Sequence, residues 1–329
     1  MRPATLNLGL GVIVLLLFLL SLAIGPAGLG VSESVTGILA GGSDVGAIIM
    51  REIRLPRAIL ALAIGFTLGL SGAVLQGFLR NPLAEPGLIG VSGMASLGAV
   101  ILFYLGLAGS ALYVLPAGAL LGALIAVVLL LTLAARSNST LTLILAGVAL
   151  SSLAGALTSL VLSLSPNPFA SYEIIFWLLG SLKDRSIEHV WLALPLMLAG
   201  WVLIGLAGRA INALSLGEEA AASMGVHLPR ARLVIVLGVA LGVGAATAVA
   251  GAIGFIGLVV PHLLRPLTDG MPSRLLLPSG LGGGALLLAA DTACRIVLPA
   301  GELNVGVLTA LIGAPFFLWL VIRSRREVI

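Results

Sequence analysis

Lysine, cysteine and charge are nearly missing from this 329-residue sequence: Lys183 is its single lysine, Cys294 its single cysteine, and Asp, Glu, Lys and Arg together make up 9%. Each shortage excludes something. A P-loop needs Gly-Lys-Ser/Thr, and Lys183 sits in "SLKDR", so the chain does not cradle a nucleotide in that way. A single thiol makes neither an internal disulfide nor a multi-cysteine metal site, and Cys294 reads as a small buried apolar side chain. The sequence contains no HExxH pair and so no zinc-hydrolase helix of that kind. So little charge cannot cover a water-facing surface. What occupies the chain instead is 60% hydrophobic residues at a mean hydropathy of +1.21, the composition of an all-α polytopic membrane protein. The net charge of +4 and pI near 10 come from basic residues scattered among loops rather than gathered on one face. They act as topology signals, and no nucleic-acid surface is expected.

Apolar runs cut by charges and by Gly/Pro clusters predict nine spans, from Leu6–Ile24 to Val305–Ile322, within one transmembrane domain covering residues 1–329. The first run ends in "SLA", which resembles a signal-peptide cleavage site. It is longer than the usual apolar region of about 7–15 residues and is read as a retained span. A tenth segment, Ile253–Leu264, is shorter than the ~17–25 residues a full crossing needs. Parity decides its status. With ten crossings and an inner N-terminus, most of the 17 basic residues fall on the inner side; with nine, most fall outside. The positive-inside rule therefore favours ten spans with both termini cytoplasmic.

The largest inner excursion is then a polar island, Ala210 to Arg232, "AINALSLGEEAAASMGVHLPRAR", between spans six and seven. Ser215 followed by Glu218 reads as a capping box, opening a short helix over about Leu216 to Met224. Glu218 and Glu219 sit at its positive end, and Gly225 is placed to close it in the left-handed conformation. Ala220, Ala221 and Met224 form a small apolar edge. Such a helix either docks in a groove of another protein or lies on the lipid surface.

Three function classes can be weighed on single residues. "GLSG" (69–72) and "GVSG" (90–93) match an intramembrane serine-protease pattern, but so glycine-rich a chain, with 43, yields such matches by chance. An ion-coupled secondary transporter would want an acid inside a span. Asp291 is the one candidate, and Arg295, four residues on, is spaced to pair with it. Arg51, Arg54 and Arg57 enter span two from the outer side against the topological bias. That position suits acceptance of carboxylates from a soluble partner or an anionic substrate.

Several separated blocks together carry a resemblance: "RLPRAILA", "LSGAVLQGFLRNPLAEPGLIGVSG", "LILAGVALSS", "FWLLGSL", "LSLGEEAAASMGV", "GAIGFIGLVVPHLLR", "LLLAADTACR" and "LTALIGAPFFLWL". From about Ile53 to Val321 the chain resembles the permease family of bacterial type II ABC importers for vitamin B12, haem and iron-siderophores. The resemblance implies an inner-membrane permease with ten spans that works as a homodimer. Two ATPase subunits below would carry the ATP and Mg, a periplasmic binding protein would sit above, and this chain would hold no cofactor and no metal. It implies a coupling helix over Leu214, Ser215, Leu216, Gly217, Glu218, Glu219, Ala220, Met224, Gly225 and Val226. It also implies a cytoplasmic gate at Asn81, Pro82 and Leu83, and docking of the binding protein on Arg54, Arg57 and Arg295. Two departures concern local turns: the family's "ELPVG" is "ELNVG" here, with Asn304 in place of proline, and its charged turn after span eight is "TDGMPSR" (268–274).

Overall fold

The computed structural model describes residues 3–25, 45–111, 113–136, 140–165, 167–297 and 303–326, and among these the regular structure is all helical. Long runs of Leu, Ala, Val and Ile leave the backbone no water to bond with in a bilayer. The helix, which satisfies every peptide group within its own segment, is the solution. Its elements are α1 (Pro3–Ala23), α2 (Val45–Phe78), α3 (Val91–Tyr104), α4 (Val114–Arg136), α5 (Thr140–Ser163), α6 (Pro168–Leu178) and α7 (Ile187–Leu206). After these come α8 (Gly208–Leu214), α9 (Glu218–Ser223), α10 (Leu228–Ala250), α11 (Ile256–Leu264), α12 (Pro272–Val297) and α13 (Val305–Arg326).

Among the described residues, seven helices are long and apolar enough to cross a membrane: α1, α2, α4, α5, α7, α10 and α12. Three shorter apolar ones, over Val91–Tyr104, Ile256–Leu267 and Val305–Leu320, bring the count to the ten expected. The short eighth segment, placed at Ile253–Leu264, is a nine-residue helix extended by a 3-10 turn, Arg265–Leu267. Irregular backbone from Gly251 to Phe255 completes the stretch. Such a broken helix survives at membrane depth only where protein covers the freed peptide groups.

Three helices form the interior. The best apolar window of α2 is 83% buried, and α10 and α12 are nearly as enclosed, whereas α1 and α5 are each 22% buried and turn leucines outward. The interior is tight because it is built on small residues. A side chain at Gly65 or Gly69 of α2 would run into the backbone of Gly283 or Ser279 on α12, and one at Gly72 would meet Gly257 on α11. Without a hydrophobic drive between helices in lipid, this close backbone approach supplies the packing energy.

The second span begins earlier than its apolar run. It starts at Val45 and passes through a π-helical turn, Ile49–Arg54, before the regular helix from Leu55. Charge in "MREIRLPR" reads as loop in a sequence, yet Arg54 and Arg57 are buried here with partners that let the helix continue. At α6, Asn167 accepts the Phe169 amide at 2.9 Å and Pro168 opens the helix, a standard start signal. Within α6 itself Ile174 is the fully buried residue. His189 is buried in the first turn of α7, where its Nδ1 accepts the Ser186 amide at 3.2 Å. Asn304 of the "ELNVG" turn uses its Nδ2 to donate to Phe176 O at 3.4 Å, tying the start of α13 to α6.

Candidate functional site

The polar island folds as two short helices at one end of the bundle. Ser215 does not cap the second. Its hydroxyl donates to Asn212 O at 2.7 Å and closes α8, so the expected capping box does not form. The helix expected over Leu216 to Met224 is shorter, Glu218–Ser223, with Gly217 at its N-cap. Gly217 has φ +114°, which a side chain adopts only with strain, and this turn takes over the role assigned to Ser215. Glu218 reaches across to the next helix. It accepts from Arg232 Nη2 at 2.9 Å, pinning α9 to the start of α10. The far end behaves as read: Gly225 is left-handed (φ +82°), its amide donates to Ala222 O, and the Val226 amide donates to Ala221 O, a Schellman closure.

This construction holds α9 against α8 and α10. Ala221 is buried as its foot, while Leu216 (68% exposed) and Met224 (64%) face outward. Beside it lies an open concavity of about 640 Å³ lined by Leu216, Gly217, Glu218, Glu219, Ala220, Leu141 and Arg80. Arg80 belongs to the turn that follows α2, so the island and the expected gate share one surface. Sequence distance hid that neighbourhood.

The turn after α2, where the gate is expected, is held from several sides. Arg80 is left-handed (φ +49°). Asn81 accepts the Leu83 amide on Oδ1 at 2.9 Å, its carbonyl accepts the Ala84 amide at 3.1 Å, and Pro82 lies exposed between them. Two residues not singled out from the sequence do the anchoring. Gln76 Nε2 donates to Ala84 O, Gly257 O and Leu258 O at 3.3–3.4 Å, while its Oε1 accepts from Arg265 at 2.7 Å. Glu85 accepts the amide of Phe255, the left-handed residue (φ +67°) just ahead of α11. Burial pushes the Glu85 carboxyl above its ordinary value, and the Phe255 hydrogen bond opposes that only in part. A glutamine inside an apolar span was the one available signal for Gln76. Nothing in the order of residues points from Glu85 to Phe255.

Arg54, Arg57 and Arg295 come together at the opposite end of the bundle. Their side chains are buried. Arg57 forks onto both Asp291 oxygens (2.9–3.1 Å), and Arg295 reaches the same carboxylate at 3.1 Å, forming the expected i,i+4 pair. Arg54 donates to Leu22 O and Ala23 O, and Arg295 to Ser21 O and Ile24 O, all within 2.7–3.1 Å. Those carbonyls are the ones a helix end leaves without partners, so the arginines cap α1 and bind it to α2 and α12. Asp44, an acid close in sequence to Arg51 and Arg54, lies outside the described residues.

An apolar hollow of about 550 Å³ opens where α6, the Gly251–Phe255 break and α13 meet, with Leu179, Ala252, Phe255, Val307 and Leu311 in its wall. Among the described residues there is no cluster of His, Cys, Asp or Glu suited to a metal.

The family profile described as the FecCD transport family matches residues 13–323. The chain belongs to the FecCD transport family. It is 41% identical over 281 residues to the hemin transport system permease protein HmuU of Yersinia pestis, covering 84% of each chain. It is 42% identical over 277 residues to the vitamin B12 import system permease protein BtuC of Vibrio cholerae, covering 83% of this chain and 82% of that one. It is also 42% identical to the ABC transporter permease YvrB of Bacillus subtilis, over 84% of this chain and 80% of that one. A solved metal-chelate type ABC transporter in an inward-facing conformation superposes with a TM-score of 0.87 at 31% identity, covering 97% of this chain and 99% of the other. This FecCD-family chain is a multi-pass transport permease, and the ten apolar helices among its described residues follow the permease fold.

Proposed function

We propose that this permease is the membrane conduit of an ATP-driven importer, moving a metal chelate of the haem, cobalamin or iron-siderophore class from periplasm to cytoplasm. Two copies pair in the inner membrane with both termini cytoplasmic. Two ATPase subunits, holding ATP and Mg, press on α9 from below, and a periplasmic binding protein delivers cargo from above. The observation that carries this reading is the α9 surface: an exposed helix, footed on buried Ala221 and braced by Glu218–Arg232, that shares a concavity with Arg80 of the gate turn. A load on α9 therefore has a short route to Asn81, Pro82 and Leu83. The exposed apolar side chains of α6 and the hollow beside α13 support a pathway between two copies, where weak holding favours release.

Ion coupling finds no support in Asp291, which is clamped between two guanidiniums. The test is replacement of Glu218 and Met224 by arginine in the assembled, reconstituted complex. ATP-driven uptake is expected to fall about tenfold or more, the scale of a lost inter-site coupling. Unchanged uptake by a complex that still hydrolyses ATP would show that α9 is not the lever.

A further inference from the structure

The helix that precedes α9 has no assigned part in gating, yet it occupies the junction between the two interior helices that end beside the gate. Ile211 of α8 is fully buried. A side chain at Gly77, in the last turn of α2, would meet Ile211 Cγ2 at 2.6 Å and Pro272 Cβ at 3.1 Å. Three elements, α8, α2 and the first residue of α12, thus meet with no room for one more carbon. On the adjoining face Asn212 makes a paired contact: its Oδ1 accepts the Ser273 amide at 2.9 Å, and its Nδ2 donates to Ser273 Oγ at 2.8 Å.

The connector to α9 is equally constrained. Ser215 Oγ donates to Asn212 O, the Leu216 amide to Ala213 O and the Gly217 amide to Leu214 O, each within 2.7–3.0 Å. A displacement of α9 cannot be absorbed by a slack loop; it moves α8. Packing by Ile211 alone resists compression but slides, because dispersion contacts have no direction. The paired hydrogen bonds of Asn212 fix the register of α8 against α12. The helix α12 lies along α2 through Gly65, Gly69, Ser279 and Gly283, and Asn81 follows α2 by three residues.

We propose that Asn212 is a positioning residue for transport: its clamp on Ser273 makes α8 a rigid foot that converts movement of the coupling helix into movement of α12 and α2, and so of the gate turn. The Glu218–Arg232 brace carries force to α10, whereas this second route carries it to the helix pair at the centre of the bundle.

The inference rests on the coupling reading above, and the experiment separates the two. The full complex is reconstituted in proteoliposomes with its ATPase and binding protein, and ATP hydrolysed per cargo imported is measured for the parent, Asn212→Ala, Asn212→Asp and Ser273→Ala. Asparagine to aspartate keeps both contacts, with one carboxylate oxygen accepting the Ser273 amide and the other its hydroxyl. The negative charge also suits the start of α12. The ATP-to-cargo ratio is expected to rise about fivefold or more in Asn212→Ala, the lower range of inter-site coupling, and to return to within about twofold of the parent in Asn212→Asp. Ser273→Ala, which keeps the amide contact, is expected to fall between and decides the matter should Asn212→Ala not assemble. A parental ratio in Asn212→Ala, or equal impairment of the alanine and aspartate variants, overturns the proposal. Absence of ATP-driven uptake by the parent complex would instead defeat the functional reading.

Discussion

Removing the charge of Asp291 gives the most direct test of what the outer arginines do. The carboxylate is fully buried, and it accepts from Arg57 and Arg295 at 2.9–3.1 Å. Asp291→Asn leaves two guanidiniums facing a neutral amide in a site that water does not reach. Breaking a buried pair by removing one partner costs roughly 3–5 kcal/mol, most of it the uncompensated charge. At this chain length 1 kcal/mol shifts the midpoint by about 2 °C, so the melting temperature should drop by roughly 6–10 °C. Cys294 is buried three residues away and is the only thiol, so a thiol-reactive fluorophore on the purified permease reports the unfolding of this very region. Arg57→Leu combined with Asp291→Leu removes both charges together and should recover part of the loss, a non-additivity that two independent surface charges would not show. An Asp291→Asn midpoint within about 2 °C of the parent refutes the clamp and returns these arginines to the role of surface charges.

Other consequences are equally specific. Burial raises the Glu85 pKa above 4.5, so the folded chain holds that proton more tightly than the unfolded one. The Glu85 contribution is therefore complete below pH 4.5 and declines as pH climbs through the folded-state value. Glu85→Gln should flatten the midpoint-against-pH curve in that window, and an unaltered slope would contradict the burial argument. Gly69→Leu drives a side chain into Ser279 O and Gly283 and should cost at least about 1–3 kcal/mol, read as a lower midpoint and lower yield. Gly217→Ala forces a side chain into φ +114° at a cost of about 1–3 kcal/mol, and it should weaken ATP-coupled uptake more than the same change at exposed Gly155, where nothing lies within 4 Å.

Composition and periodicity alone decided that this chain is a helical membrane protein, because long continuous apolar runs, unlike the alternating strands of a barrel, satisfy their backbone in lipid as helices. Charge parity decided ten crossings, including one helix too short to count by length, and the left-handed closure at Gly225 followed from residue type. Those features are local or statistical, and so they are written in residue order. The partners of polar side chains are not. Ser215 to Glu218 has the spacing of a cap, but Arg232, fourteen residues on, outcompetes the helix amide for Glu218 because it offers a charge-assisted bond at the junction of α9 and α10. Arg54, Arg57 and Arg295 carry the charge of surface residues, and only packing shows that the end of α1 and Asp291 draw them inside. Gln76 with Arg265, Glu85 with Phe255 and Asn212 with Ser273 join residues 61 to 189 positions apart. Tertiary structure alone chose among those pairings, since in a medium without water a buried polar atom takes whichever partner the packed glycine-lined helices bring within reach.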